Sequence, residues 1–448
     1  LPFIELSNRI LKGDESLFYS FSLFMGLNTI GTLAYYCLSP FNLLYLIPFV
    51  SPSTLTAILI TCKIGLCGAS FCYFSKKVLR SDDLTAILFS LFYALNTFIV
   101  FQYFNVLFLD AVYILPFLIS RIFVFVKTGR YHGLLFTYIY LFLTNFYMGY
   151  IVGVFSAICF LCLLLSGENR DHKHLVRLVV SYAGIVLLSA GASMFILLPA
   201  AYQILVESPK DASSFESLQL TVAELIGAFF PGQADGIRND SPFLYCGLLT
   251  VLLVPLYFAD KKIPMKKRLI SGGVLCFYTV SCLFLPFYIF LHAFDKPDGY
   301  EFRFSICMIF LLISISAEWF SESKIFTDEN ITGAAISKPI LLLTGSIVCL
   351  THLFLSLTRK DRYPVSNLLT GIAFLIGWIL LIFLIINKKK PASVHRFIKY
   401  AFFLLAIAEL TYNGYTNITH LHSIVTEDDF NRWYYQEKSS RSEEHTSE

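Results

Sequence analysis

Nearly every cluster of polar and aromatic residues in this chain falls at the same end of an apolar stretch long enough to cross a bilayer. Such stretches run at about 53–75, 84–102, 107–126, 132–146, 148–166, 175–206, 243–259, 269–291, 303–320, 338–357, 367–387 and 397–414. A helix of about 20 apolar residues spans the hydrocarbon core. The runs are too continuous for the alternating strands of a membrane barrel. The expected fold is all-α: a polytopic transmembrane helical bundle of about 11–12 spans. Composition agrees, since 15% of the 448 residues are charged and the mean hydropathy is +0.67, whereas a soluble domain carries about a quarter charged residues. A net charge of +3 gives no reason to expect nucleic acid as a partner.

Loop charges set the orientation. The basic segments Lys76–Arg80, Lys127–Arg130, Arg170–Arg177, Lys261–Arg268 and Lys388–Lys390 fall on one side if the spans alternate, and that side is cytoplasmic. Thr358–Arg362 dissents. Residues 1–52, Gln102–Asp110, Asn145–Tyr150, Glu207–Ser241 and His292–Arg303 then lie outside. Residues 1–52 are aromatic and broken by prolines, and read as an outer loop of short interfacial helices. Residues 53–435 form the transmembrane domain. Within it, Asn145–Tyr150 reads as a break between two passes, with Gly149 beside polar side chains. The stretch 175–206 is long enough to tilt or protrude. The last octapeptide, Arg441–Glu448, reads as translated sequencing-adapter sequence and is set aside.

Chemistry concentrates on the outer side. Asp110 opens an apolar span with no basic neighbour in sequence. It is either a helix-start carboxylate at headgroup level or a functional group facing a wet cavity. His292–Arg303 gathers three acidic residues with His292, Lys296 and Arg303. Arg303 suits bidentate binding of a phosphate, or else snorkels to the interface. Tyr35 and Tyr36 are either belt residues or a stacking platform for sugar rings or a lipid chain. Leu198–Tyr202 and Pro209 end a long span, and read first as a helix stop. The 11 cysteines, Cys159-x-x-Cys162 included, lie mostly inside apolar runs and read as small core residues. No nucleotide-binding loop, zinc-protease helix or serine-hydrolase elbow is found.

The order and spacing of several short motifs resemble the bacterial YfhO family. They are Leu1-Pro-Phe-Ile, Lys12-Gly-Asp, Tyr19-Ser-Phe-Ser, Gly26-Leu-Asn28, Ala34-Tyr-Tyr36, Ser39-Pro-Phe41, Leu109-Asp110, Leu115-Pro116, Asn145-Phe-Tyr147-x-Gly149-Tyr150, Leu198-Pro199 with Tyr202, Tyr245-x-Gly247, Pro297 with Arg303-Phe304, and Glu409-Leu410 with Asn413. Each is weak alone. The resemblance runs to about residue 435. It implies a glycosyltransferase of the GT-C type in a bacterial plasma membrane, multi-pass, with its active face extracellular. Such an enzyme moves a sugar from a polyprenyl-phosphate carrier to a cell-surface polymer acceptor such as teichoic acid. It further implies that a first helix and a first-loop catalytic Asp precede Pro2, and that a C-terminal region follows.

Under that reading Asp110 assists catalysis, and Arg303 holds the departing phosphate with Lys296 or His292 helping. Tyr35, Tyr36, Asn145 and Tyr147 hold sugar or lipid. No cofactor is implied, and a divalent metal is left open. The competing readings are a flippase or transporter of the same lipid-linked sugar, and a non-catalytic scaffold of a surface-polymer assembly. A flippase needs polar residues through the full membrane depth.

Overall fold

The computed structural model describes residues 9–10, 12–14, 16, 18–20, 27–30, 33, 38–47, 49–167, 171–202, 220–233, 241–294, 297, 301–327, 337–359, 363–386 and 392–420. The helices are α1 (Pro52–Phe74), α2 (Asp83–Ala94), α3 (Thr97–Gln102), α4 (Val106–Thr128), α5 (His132–Thr144), α6 (Phe146–Ser166), α7 (His172–Ala192) and α8 (Met194–Tyr202). They continue with α9 (Val222–Gly227), α10 (Leu248–Ala259), α11 (Met265–Leu283), α12 (Leu285–Leu291), α13 (Ser305–Glu322), α14 (Lys338–Thr358), α15 (Val365–Ile386) and α16 (Ala392–His420). Among the described residues, 7 helices are long and apolar enough to cross a membrane, or 8 if α11 and α12 form one bent span. The shorter apolar helices α2, α5 and α10, together with α16, occupy the remaining expected stretches.

Three expectations need correction. The stretch 84–102 is two helices, because Asn96 ends α2 and caps α3 by accepting from the Ile99 amide at 3.1 Å. The stretch 175–206 breaks at Ser193 into α7 and α8. The stretch 269–291 bends by 106° at Phe284, between α11 and α12. The expected break within Asn145–Tyr150 is present and falls at Asn145, which takes an extended conformation and accepts from the Met148 amide at 2.9 Å. Gly149 lies inside α6, where it lets the helix start pack close to Phe142. In residues 1–52 the described part holds a 3-10 helix, Pro40–Leu46, and an antiparallel pair, β1 (Tyr19–Ser20) with β2 (Leu27–Asn28), which the sequence had not suggested.

Two helices form the centre. About 78% of the apolar windows of α4 and α13 are buried, against 22–39% for the other long spans. A helix apolar on every side is buried by its neighbours or faces lipid, and α4 and α13 take the first course. Around α4 pack α1, α5 and α6, and α10 packs against α13. Aromatic rings fill the space between: Phe71 stacks on Tyr93 at 5.0 Å and meets Phe310 edge-on at 5.9 Å.

Arg359, which ends α14, pairs with Glu224 of α9.

Candidate functional site

The described residues hold two polar assemblies near the start of α4, on different faces of it. The first centres on Asp110, which is fully buried. Its Oδ2 accepts from Lys63 Nζ at 2.6 Å, and its Oδ1 accepts from Ser39 Oγ at 3.0 Å and Tyr113 OH at 2.7 Å. Lys63 also donates to the Val106 carbonyl at 3.0 Å, and Tyr113 shares a bond with Tyr140 OH at 2.6 Å. An unpaired carboxylate here would cost several kcal/mol. Both oxygens are instead occupied.

This network fastens the outer segment to the core. Ser39 precedes the 3-10 helix, and Phe41 lies under Lys63 (5.6 Å to the ring centroid) and edge-on to Tyr113 at 6.1 Å. Leu38 joins a small apolar cluster with Ile196, Ala200, Leu143 and Phe146, and Tyr45 OH bonds Thr56 Oγ1 at 2.7 Å.

The second assembly centres on Arg303, at the start of α13. Its guanidinium lies over the rings of Tyr147 at 4.6 Å and Phe108 at 5.4 Å. Stacking on two rings holds the guanidinium in one plane. Phe108 and Asp110 are two positions apart, about 200° around α4, so Arg303 and Asp110 share the helix end but not a face.

His292 follows α12. Its Nδ1 bonds the Tyr288 carbonyl at 2.9 Å, its ring lies 4.3 Å from the Tyr288 ring, and its Nε2 has no partner. Burial, reinforced by the charge of Arg303, pulls the imidazole down from its ordinary 6.5 to about 3. It is neutral at physiological pH and offers a phosphate no positive charge. Tyr150 OH donates to the Phe290 carbonyl at 3.0 Å, tying the first turns of α6 to the end of α12. Thus Tyr147, His292 and Arg303 come together, and Asn145 caps the helix that carries Tyr147. Lys296, Tyr35 and Tyr36 lie outside the described residues.

Two buried groups escaped the sequence reading. Lys63 had a signal, being a lone charge inside the apolar run of α1, and such a residue marks a functional or paired site by default. Glu409 appeared only as part of a motif. It is fully buried and accepts from Tyr245 OH at 2.6 Å, the Leu248 amide at 2.7 Å and Trp378 Nε1 at 2.5 Å. Four residues on, Asn413 accepts from the Gly232 amide at 3.0 Å and donates to Thr97 Oγ1 at 3.2 Å. The motifs around Tyr245 and Glu409 are therefore one structural unit, knitting α10, α15 and α16. Among the described residues no three His, Cys, Asp or Glu side chains are grouped to hold a metal ion.

No curated protein and no solved structure matches the chain. The family model described as bacterial membrane protein YfhO matches residues 1–448. A multi-pass helical bundle agrees with that match, and the chain belongs to the YfhO family of bacterial membrane proteins.

Proposed function

We propose that this chain is the membrane body of a glycosyltransferase that moves a sugar from a polyprenyl-phosphate carrier to a cell-surface polymer, such as teichoic acid, on the extracellular face of a bacterial plasma membrane. The observation that carries the reading is Arg303, held between Phe108 and Tyr147 at the outer mouth. In the transfer an acceptor hydroxyl oxygen attacks the anomeric carbon and its proton passes to a carboxylate. The bond from that carbon to the carrier phosphate breaks, and its electron pair leaves with the phosphate. Negative charge grows on the departing phosphate, where a fixed guanidinium stabilises it most. No nucleotide is needed, because the carrier lipid brings its own leaving group.

Asp110 supports the reaction from behind. Its oxygens are occupied by Lys63, Ser39 and Tyr113, so its role is to hold Ser39 and the outer segment over the mouth rather than to take the proton. Asn145 and Tyr147 border the Arg303 side, where the sugar would lie. The transporter reading draws on the Lys63–Asp110 pair, since buried charges in spans often line transport paths. Against it, the partners of that pair gather at the outer end of α4.

The test uses the full-length protein in membranes with polyprenyl-phosphate-linked N-acetylglucosamine and a polymer acceptor. Transfer should fall by about 100-fold or more in Arg303→Ala, the usual cost of losing one such electrostatic group. Movement of carrier across the bilayer without transfer would replace this reading with a flippase. Neither activity in folded protein would replace it with a scaffold.

A further inference from the structure

Two irregular stretches lie inside the bundle. Residues 228–233 follow α9, residues 241–247 lead into α10, and both are almost wholly buried. Buried backbone outside helices needs partners, and α16 supplies several. Its Glu409, Asn413 and Asn417 are spaced by one helical turn on a single face, and all three are fully buried. Glu409 accepts from the Leu248 amide, and Asn413 from the Gly232 amide at 3.0 Å. Asn367 of α15 donates to the Gly232 carbonyl at 2.7 Å, and the Thr97 amide of α3 donates to the Tyr245 carbonyl at 3.0 Å.

Between these stretches lies a cavity of about 10 Å³, room for one water-sized group. Phe230, Phe243, Tyr245 and Tyr363 give it aromatic walls, Thr97, Gln233 and Ser241 add hydroxyls and an amide, and no charged side chain lines it. Much of the polar lining is committed. Thr97 Oγ1 accepts from Asn413 Nδ2 at 3.2 Å, and Tyr245 OH donates to Glu409 at 2.6 Å. Gln233 differs. Its Nε2 reaches the Pro231 carbonyl at 3.5 Å and His352 Nε2 at 3.3 Å, while its buried Oε1 has no partner. A carboxamide nitrogen only donates, so His352 Nε2 accepts. That imidazole is itself fixed, stacked on the Phe230 ring at 4.1 Å and edge-on to Tyr363 at 5.8 Å. Gln233 is thus held at one end of its amide, with the other idle. Turning the amide over exchanges the ends and still leaves one idle. Asn367 uses both of its ends, since its Oδ1 accepts from Tyr412 OH at 2.9 Å. An unmet buried acceptor carries a standing cost.

We propose that this cavity is a binding site for one hydroxyl of a neutral sugar or polyol, with Gln233 Oε1 as the acceptor that selects it. Oε1 accepts the hydroxyl proton, and the carbon skeleton that carries the hydroxyl rests against the aromatic walls. Apolar rings with a few placed polar groups are the usual make-up of a pocket that orients a small ligand. With no charged side chain in the lining, nothing there would hold a phosphate or a carboxylate. None of the lining residues touches Arg303 in the assembly described above, so the site does not rest on the phosphate reading.

Equilibrium binding of radiolabelled glucose and xylose to the full-length protein in nanodiscs tests this. The two sugars share a ring, and xylose lacks the hydroxymethyl group. The wild type should bind glucose saturably, and xylose at least about tenfold more weakly, because a site built to bond a hydroxyl is left unpaired by the analogue lacking it. Gln233→Leu should erase that difference. Gln233→Met, unbranched like glutamine, gives the same reading if the leucine variant does not fold. Discrimination retained in either folded variant, or equal binding of both sugars by the wild type, overturns the site. So does the absence of saturable binding, which would leave a cavity holding one structural water only. Arg303→Ala should bind glucose as the wild type does, which keeps failure here distinguishable from failure of the Arg303 reading.

Discussion

Lys63 Nζ lies 2.6 Å from Asp110 Oδ2, an ion pair with both side chains almost completely withdrawn from solvent. It joins α1 to α4 at the point where Ser39 fastens the outer segment. Removing one member leaves the other charge buried alone, at a cost of about 3–5 kcal/mol. Lys63→Met should therefore destabilise the protein by that order in detergent unfolding, and Asp110→Asn by less, since its amide can still accept from Tyr113 or Ser39. The double variant should recover much of the loss. Additive losses would show that the pair is not coupled.

Glu409 faces three donors and, among the described residues, no cation. A glutamine there presents one acceptor and one donor, so at least one N–H or O–H among Tyr245, Leu248 and Trp378 meets another donor. Glu409→Gln should cost about 1–3 kcal/mol, and Trp378→Phe, which deletes one donor, should cost less. Thermal unfolding of purified variants ranks them. Equal melting temperatures for Glu409→Gln and wild type would mean that the carboxylate is already protonated.

Gly247 starts α10 with φ of 92°, and a Cβ there would lie 2.4 Å from the Phe92 ring. Both the backbone and the space exclude a side chain. Gly247→Ala should lower the yield of folded protein and its melting temperature, with a loss above the ~1 kcal/mol that a sparsely populated backbone conformation alone carries. Pairing it with Phe92→Leu separates the two causes, because only the steric part is relieved.

The depressed His292 gives a pH dependence. Unfolded, the imidazole binds a proton below about 6.5; folded, it stays neutral to about 3. The unfolded state binds more protons throughout that window, so stability falls as pH drops through it. His292→Gln removes this contribution. Its melting temperature should decline less than that of the wild type between about pH 7 and pH 4. Parallel declines would place His292 in a solvated setting and remove the ground for a buried bare Nε2.

The membrane class and the helical character of the expected stretches were legible from sequence. Both are local: an apolar run of sufficient length must satisfy its backbone internally as helix. The breaks were less evenly legible. The one at Asn145 fell within the expected Asn145–Tyr150, whereas Asn96 looks like an ordinary polar residue in apolar text, and only its capping bond reveals that the chain turns there.

Partner choice belonged to the tertiary structure. Lys63 and Asp110 are 47 positions apart, and Glu409 finds Tyr245 across 164. Nothing in either local sequence names the other, because the register between packed helices is decided by how their side chains interlock. The same holds for the outer mouth. The sequence offered Asp110, Arg303 and His292 as members of one site. Packing placed Asp110 and Arg303 on opposite faces of α4, and left His292 neutral with an unmet nitrogen beside Arg303.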